Sequence, residues 1–172
     1  MSRCLYNSSI EKFNNAGADS ILGEIIKHFH GVAPTTSIEA WEGEISIMKD
    51  VLSAYTGKDG TIIFEYDIPR LRKRIDVVLL LDGIIFCLEF KVGESKILEA
   101  DVDQVLDYAL DLKNFHTAPT GAAVGHWAAV LTAGRQSSSG CPMRTKDCTK
   151  FLPLRQKSKE AIMLPYFFYI LH

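Results

Sequence analysis

Residues 74–91 constrain the fold most, because they read as one β-hairpin with a fixed register. Arg74-Ile75-Asp76-Val77-Val78-Leu79-Leu80-Leu81 and Ile84-Ile85-Phe86-Cys87-Leu88-Glu89-Phe90-Lys91 are largely apolar runs on either side of Asp82-Gly83. Asp-Gly between such runs predicts a two-residue turn, since that turn needs positive φ at both central positions. A turn that tight sets Leu81 opposite Ile84, Leu79 opposite Phe86 and Asp76 opposite Glu89. Directly opposed residues of antiparallel strands hold their Cβ atoms about 4.5–5.5 Å apart. Two carboxylates so placed repel each other, and apolar neighbours raise the cost unless a cation or a shared proton lies between them. Lys91 follows Glu89 by two residues and projects to the same side. The trio has the chemistry of a hard divalent-metal site, with two oxygen donors and an ammonium over a bound water or phosphate. The plainer reading of the same residues is a same-face Glu89–Lys91 ion pair at a strand end, with Asp76 simply starting its strand.

The rest of the chain sets the context. Its 172 residues suit one domain with a substantial core. A net charge of -2 gives no global attraction to nucleic acid, so such binding must use local patches. Cys4, Cys87, Cys141 and Cys148 lack zinc-like spacing, and Cys87 reads as a buried inert thiol. The N-terminal residues carry no long apolar run, so neither a signal peptide nor a membrane span is expected, and a reducing cytoplasm is the natural setting. No Gly-rich phosphate loop with a Lys-Ser/Thr ending occurs, which excludes a nucleotide-hydrolysing motor of that type.

Residues 7–17 are polar and read as a loop or frayed arm. Asp19 or Ser20 then caps a short helix through Phe29 that ends at Gly31, with His28 and His30 suited to the helix dipole rather than to a metal. A second helix capped by Ser37 buries Ile38, Trp41, Ile45, Met48, Leu52 and Tyr55, with Glu42 and Glu44 flanking that stripe. Residues 61–67 read as a strand stopped by Pro69. Arg70, Arg72, Lys73 and Arg74 follow, and read either as a grip on a phosphate backbone or as a solvated basic turn. A helix over residues 101–113 puts Gln104 and Tyr108 four apart on a common side. Residues 127–133 suit a fourth strand, and residues 141–159 are basic and aperiodic. The apolar run 162–171, broken by Pro165, suits a strand or a buried tail. The expected order is αβββαβ, an α/β fold with a mixed four-stranded sheet flanked by helices. Its expected divisions are an arm and short helix at 1–36, a core at 37–133 and an irregular extension at 134–172.

Asp76, Glu89-Phe90-Lys91 and Gln104-x-x-x-Tyr108, in this order and on these elements, resemble the PD-(D/E)XK nuclease superfamily, whose core is restriction-endonuclease-like. The Gln-x-x-x-Tyr helix is similar to that of the RecB-type branch. The wider wording Glu65-Tyr66-Asp67-Ile68-Pro69-Arg70, Lys73-Arg74-Ile75-Asp76-Val77-Val78-Leu79 and 103–113 is similar to the N-terminal domain of a poorly characterised bacterial family that joins such a domain to a superfamily-one helicase. The resemblance covers roughly residues 38–133. It implies that Asp76 and Glu89 bind Mg²⁺ or Mn²⁺ with help from the Phe90 carbonyl. Lys91 would orient or activate the attacking water and steady charge at the phosphate. Gln104 would hold Lys91 or the water network, and Tyr108 would contact phosphate or brace the lysine. Glu44, ahead of Glu42, matches the helix-one glutamate seen in many members. Ile75 stands where the motif name has proline, and no helicase follows within these residues. The implied activity is metal-dependent hydrolysis of phosphodiester bonds in nucleic acid, with DNA as the expected substrate and a helicase as partner or missing domain. The competing expectation is a non-catalytic module that binds nucleic acid or protein for a helicase and keeps a relic site.

Overall fold

Asp82-Gly83 makes the turn that the sequence requires, with φ of 50° and 76°. The computed structural model describes residues 3–68, 73–91, 98–115, 125–131 and 149–153. Their elements are β1 (Tyr6–Ser9), α1 (Ile10–Asn15), α2 (Ala18–His28), α3 (Thr35–Ser53), β2 (Gly60–Ile68), β3 (Lys73–Leu81), β4 (Ile84–Phe90), α4 (Glu99–Phe115), β5 (Gly125–Leu131) and β6 (Thr149–Pro153). The hairpin β3–β4 pairs Leu81 with Ile84, Leu79 with Phe86 and Val77 with Leu88. The predicted αβββαβ order is present as α3-β2-β3-β4-α4-β5. The strands form one mixed sheet in the order β1-β2-β3-β4-β5-β6. Only the β4–β5 pair is parallel. Parallel neighbours need a long crossover, and α4 lies within it.

Helices cover both faces of the sheet. On one face, Ile10 and Phe13 of α1, Ile21 and Ile25 of α2, and Trp41, Ile45, Met48 and Leu52 of α3 pack against Ile62, Phe64, Val77, Leu79, Phe86 and Leu88. On the other, Val105, Tyr108, Ala109 and Leu112 of α4 pack against Ile68, Ile75, Val78 and Cys87. Burial of Cys87 pushes its thiol up to about 12, as suits an inert core residue.

Side chains of a regular strand alternate between faces. On β2, Ile62 and Phe64 face α3, whereas Tyr66 and Ile68 lie with Ile63 on the α4 face. On β3, Val77, Leu79 and Leu81 face α3, whereas Ile75 lies with Val78 on the α4 face. Both strands therefore switch parity at one level. The switch falls between the paired rows Phe64↔Val77 and Tyr66↔Ile75, so it brackets Glu65 and Asp76. Glu65 carries φ of 56°, uncommon for a side-chain-bearing residue and rarer inside a strand.

Several sequence expectations change. Residues 7–17 are not a loop: Asn7–Ser9 belong to edge strand β1, and residues 10–15 form α1. Ser9 caps α1 by accepting the Lys12 N–H at 3.2 Å, a signal hidden by the polar composition. Tyr6, Ile10, Phe13, Ile21 and Ile25 pack into the same cluster as α3. Gly17 and Pro34, not Asp19, Ser20 or Ser37, occupy the N-caps of α2 and α3. Residues 149–153, expected to be aperiodic, pair antiparallel with β5. The remainder of the 134–172 extension, with the run 162–171, lies outside the described residues. No helix among the described residues is long and apolar enough to cross a membrane.

Lys49 of α3 ties the N-terminal elements to this core. Its ammonium donates to the carbonyls of Phe13, Asn14 and Ala16 at the end of α1 and lies 4.9 Å from the Phe13 ring centroid. A cation there satisfies carbonyls that the helix leaves unpaired and meets the negative end of its dipole. Lys49→Met keeps the stem and removes the charge. It is expected to lower unfolding free energy by about 2 kcal/mol, read as a reduced urea midpoint at unchanged m-value.

Candidate metal centre

The parity switch brings three carboxylates within electrostatic reach of one another. The β3–β4 ladder ends at Val77↔Leu88, and the same register carried one step further sets Asp76 opposite Glu89. Asp76 Oδ2 accepts the Phe90 N–H at 2.8 Å, so the carboxylate closes the ladder where backbone pairing stops. Glu89 continues the Ile85–Cys87 side of β4, toward α4. There Gln104 Nε2 donates to Glu89 Oε1 at 2.6 Å and to Tyr108 Oη at 2.9 Å. Lys91 Nζ lies 3.2 Å from the same Glu89 oxygen and 3.3 Å from Asp101 Oδ1 in the first turn of α4. From the other side, α3 presents Glu44, only 4% exposed. Glu42, its rival in the sequence, is exposed.

Burial dominates the electrostatics. It pushes Glu44 up to about 10, with the charges of Asp76, Glu65 and Glu89 adding to the effect. It pushes Asp76 up to about 8, with Glu89 adding most among the charges and the Phe90 N–H and Lys91 opposing. Burial also raises Glu89 against the pull of Lys91 and Gln104. For Lys91, burial works downward, but Glu89 and Asp101 outweigh it and hold the ammonium above its ordinary range. Glu44 Oε2 and Glu89 Oε2 are buried with no hydrogen-bond partner. Burying a carboxylate oxygen unpaired is costly, and a proton or a cation relieves that cost.

Asp76 and Glu89, the orphaned Glu89 Oε2 and the neighbouring main chain of Phe90 make a donor set that fits a hard oxygen-seeking ion. Among the described residues, no group of three or more His, Cys, Asp and Glu side chains is arranged to hold a metal. A candidate donor set would be the Asp76 and Glu89 carboxylates with the Phe90 main chain. Gln104 donates to Glu89 and Tyr108 and so reaches Lys91 only through their shared partner Glu89 Oε1. Tyr108 is braced by Gln104, and Lys73 Nζ lies 5.6 Å from its ring centroid. Of the basic stretch, Arg74 is paired with Glu65 at 2.8 Å and Asp67 at 3.2 Å. Arg70 and Arg72 lie outside the described residues. Asp101 and Glu65 were not singled out from the sequence as members of this group. An acid in the first turn of α4 was the available signal for Asp101.

Raised carboxyl groups make the ion-free protein sensitive to alkali. Unfolded carboxyls titrate near ~4, whereas the folded values are about 8 for Asp76 and about 10 for Glu44. Between these limits the folded state binds more protons than the unfolded one, so stability falls as pH rises. The contribution is complete below the unfolded value and lost as pH passes through the folded values. Thermal melts of the chelated protein from pH 5 to 10 are expected to show a falling Tm. Glu44→Gln is expected to flatten that fall and raise the Tm at pH 8–9.

No protein-family model matches this chain, and neither a curated protein nor a solved structure matches it significantly.

Proposed function

We propose that the chain is a metal-dependent phosphodiesterase acting on nucleic acid, with DNA as substrate. The observation that carries this reading is the Asp76–Glu89 pair. Burial and the Glu89 charge raise the cost of charging Asp76, one Glu89 oxygen is left without a partner, and Lys91 stands 3.2 Å from the other. Asp76 and Glu89 would hold Mg²⁺ or Mn²⁺ with the Phe90 carbonyl. When bound, such an ion polarises a phosphoryl oxygen and lowers the pKa of its water. The chain's own residues supply the rest. Gln104 fixes Glu89 Oε1 and leaves Oε2 for the ion, and Tyr108 anchors Gln104. Lys91 keeps its proton beside the carboxylates and so offers positive charge to a phosphate. Burial pushes Glu44 up to about 10, and a cation bound nearby would favour loss of its proton. Lys73, at the start of the strand that carries Asp76 and 5.6 Å from the Tyr108 ring centroid, would offer a cation to an approaching polyanion.

A second reading, an accessory module with a relic site that serves a helicase, draws on the clasp of Lys91 by both Glu89 and Asp101. Labelled single- and double-stranded DNA and RNA, incubated with and without Mn²⁺, decide between the two. The nuclease reading expects Mn²⁺-dependent cleavage of DNA that disappears in Asp76→Asn, Glu89→Gln and Lys91→Ala at near-native Tm. DNA binding without cleavage under any metal supports the module, and cleavage retained in all three variants refutes the assigned site. Gln104→Ala, which frees Glu89 Oε1, is expected to weaken Mn²⁺ binding by about 10–100-fold, read by calorimetric titration.

A further inference from the structure

Glu65 differs from Glu44 and Glu89, each of which keeps one buried oxygen without a hydrogen-bond partner, in having both oxygens satisfied. Oε1 accepts the Trp41 Nε1–H at 2.7 Å, and Oε2 accepts Arg74 Nη1 at 2.8 Å. Its side chain is 13% exposed, and Asp67 holds the same guanidinium from the outer end at 3.2 Å. Glu65 thus already has, on each oxygen, a donor from a neighbouring element. Its two partners lie on the two elements that carry the inner acids. Trp41 sits one turn before Glu44 on α3, with its indole packed edge-on to Phe29 at 5.5 Å. Arg74 sits two residues before Asp76 on β3.

Glu65 is also where β2 departs from regular geometry. Its φ of 56° coincides with the parity switch, and the paired rows on either side leave it level with Asp76. Hydrogen bonds from Leu5 N–H to the Phe64 carbonyl, and from Asp67 N–H to the Arg3 carbonyl, bracket the same point from the outer side of β2. A left-handed backbone at a glutamate costs about 1–3 kcal/mol and persists only where surrounding contacts impose it. The Trp41 and Arg74 contacts are such impositions.

We infer that Glu65 is a positioning residue: the Trp41–Glu65–Arg74 bridge locks the coupled switch in β2 and β3, and so aims the Asp76 carboxylate at the Phe90 N–H. This rests on the metal-site reading for its catalytic consequence, but the aim of Asp76 is measurable without it. Phe90 amide exchange reports the Asp76 contact, and the amides of Leu79 and Phe86 serve as internal references on the regular ladder.

The experiment compares wild type, Glu65→Ala, Glu65→Gln and Trp41→Phe. The phenyl ring keeps the packing of Trp41 and removes its donor. Loss of the Asp76 hydrogen bond is expected to speed Phe90 exchange about tenfold in Glu65→Ala, with the reference amides unchanged. Trp41→Phe is expected to follow in the same direction, and Glu65→Gln to lie between, since its single acceptor oxygen keeps one of the two donors. In the cleavage assay Glu65→Ala is expected to lose about 10²-fold in kcat through misplacement, with KM for DNA unchanged. Unchanged Phe90 exchange in both Glu65→Ala and Trp41→Phe overturns the positioning role, even where Tm falls. Wild-type protein that neither binds Mn²⁺ nor cleaves overturns the nuclease reading, and the exchange data then still decide the role of Glu65.

Discussion

Keeping several carboxyl groups out of water, at one level of a sheet that is otherwise greasy, is the constraint on which the rest depends. Burial is the leading cause of the upward shifts at Glu44, Asp76 and Glu89. Mutual repulsion adds to burial, and the hydrogen bonds from Phe90, Lys91 and Gln104 only partly offset it. A fold tolerates such a cluster when the remaining contacts are strong enough to hold it. Here the remainder is a sheet with helices packed on both faces, α1 to α3 on one and α4 on the other. Both faces send a polar residue to the same level: Glu44 from α3 and Gln104 from α4.

The coupled irregularity in β2 and β3 explains how one carboxyl senses both faces. In a regular strand Asp76 would belong to one side of the sheet. At the parity switch its neighbours Ile75 and Val77 point to opposite sides, and Asp76 interacts with Glu44 across one and with Glu89 and Lys91 across the other. Strand irregularities of this kind re-aim side chains. Its cost is a left-handed glutamate, held between an indole and a guanidinium.

Local periodicity made much of the fold legible. The Asp82-Gly83 turn fixes the hairpin register by counting outward, and the four-residue step from Gln104 to Tyr108 needs only that α4 be a helix. Other features had no local signature. Strand β1 reads Tyr-Asn-Ser-Ser, because an edge strand paired on one side needs little apolar character. The partnership of Glu65 with Asp76 depends on the connection at 69–72, where no two-residue turn sets the count. Its left-handed backbone is imposed by tertiary contacts rather than by glycine. Asp101 meets Lys91 across a connection whose course composition does not dictate. Glu44 was preferred to Glu42 only through resemblance, and what separates them physically is that one is buried and the other exposed.

The tight turn carries one more implication. Glu89 and Lys91 owe their orientation to an uninterrupted count from Asp82-Gly83, with no bulge between Val77 and Leu88 to absorb an error. Adding or deleting one residue within β4 would rotate both toward α3, away from Gln104 and Asp101, whatever the identity of the added residue. Chain length in this hairpin is thus more tightly constrained than composition: many like-sized apolar exchanges are tolerable there, and a single-residue insertion is not.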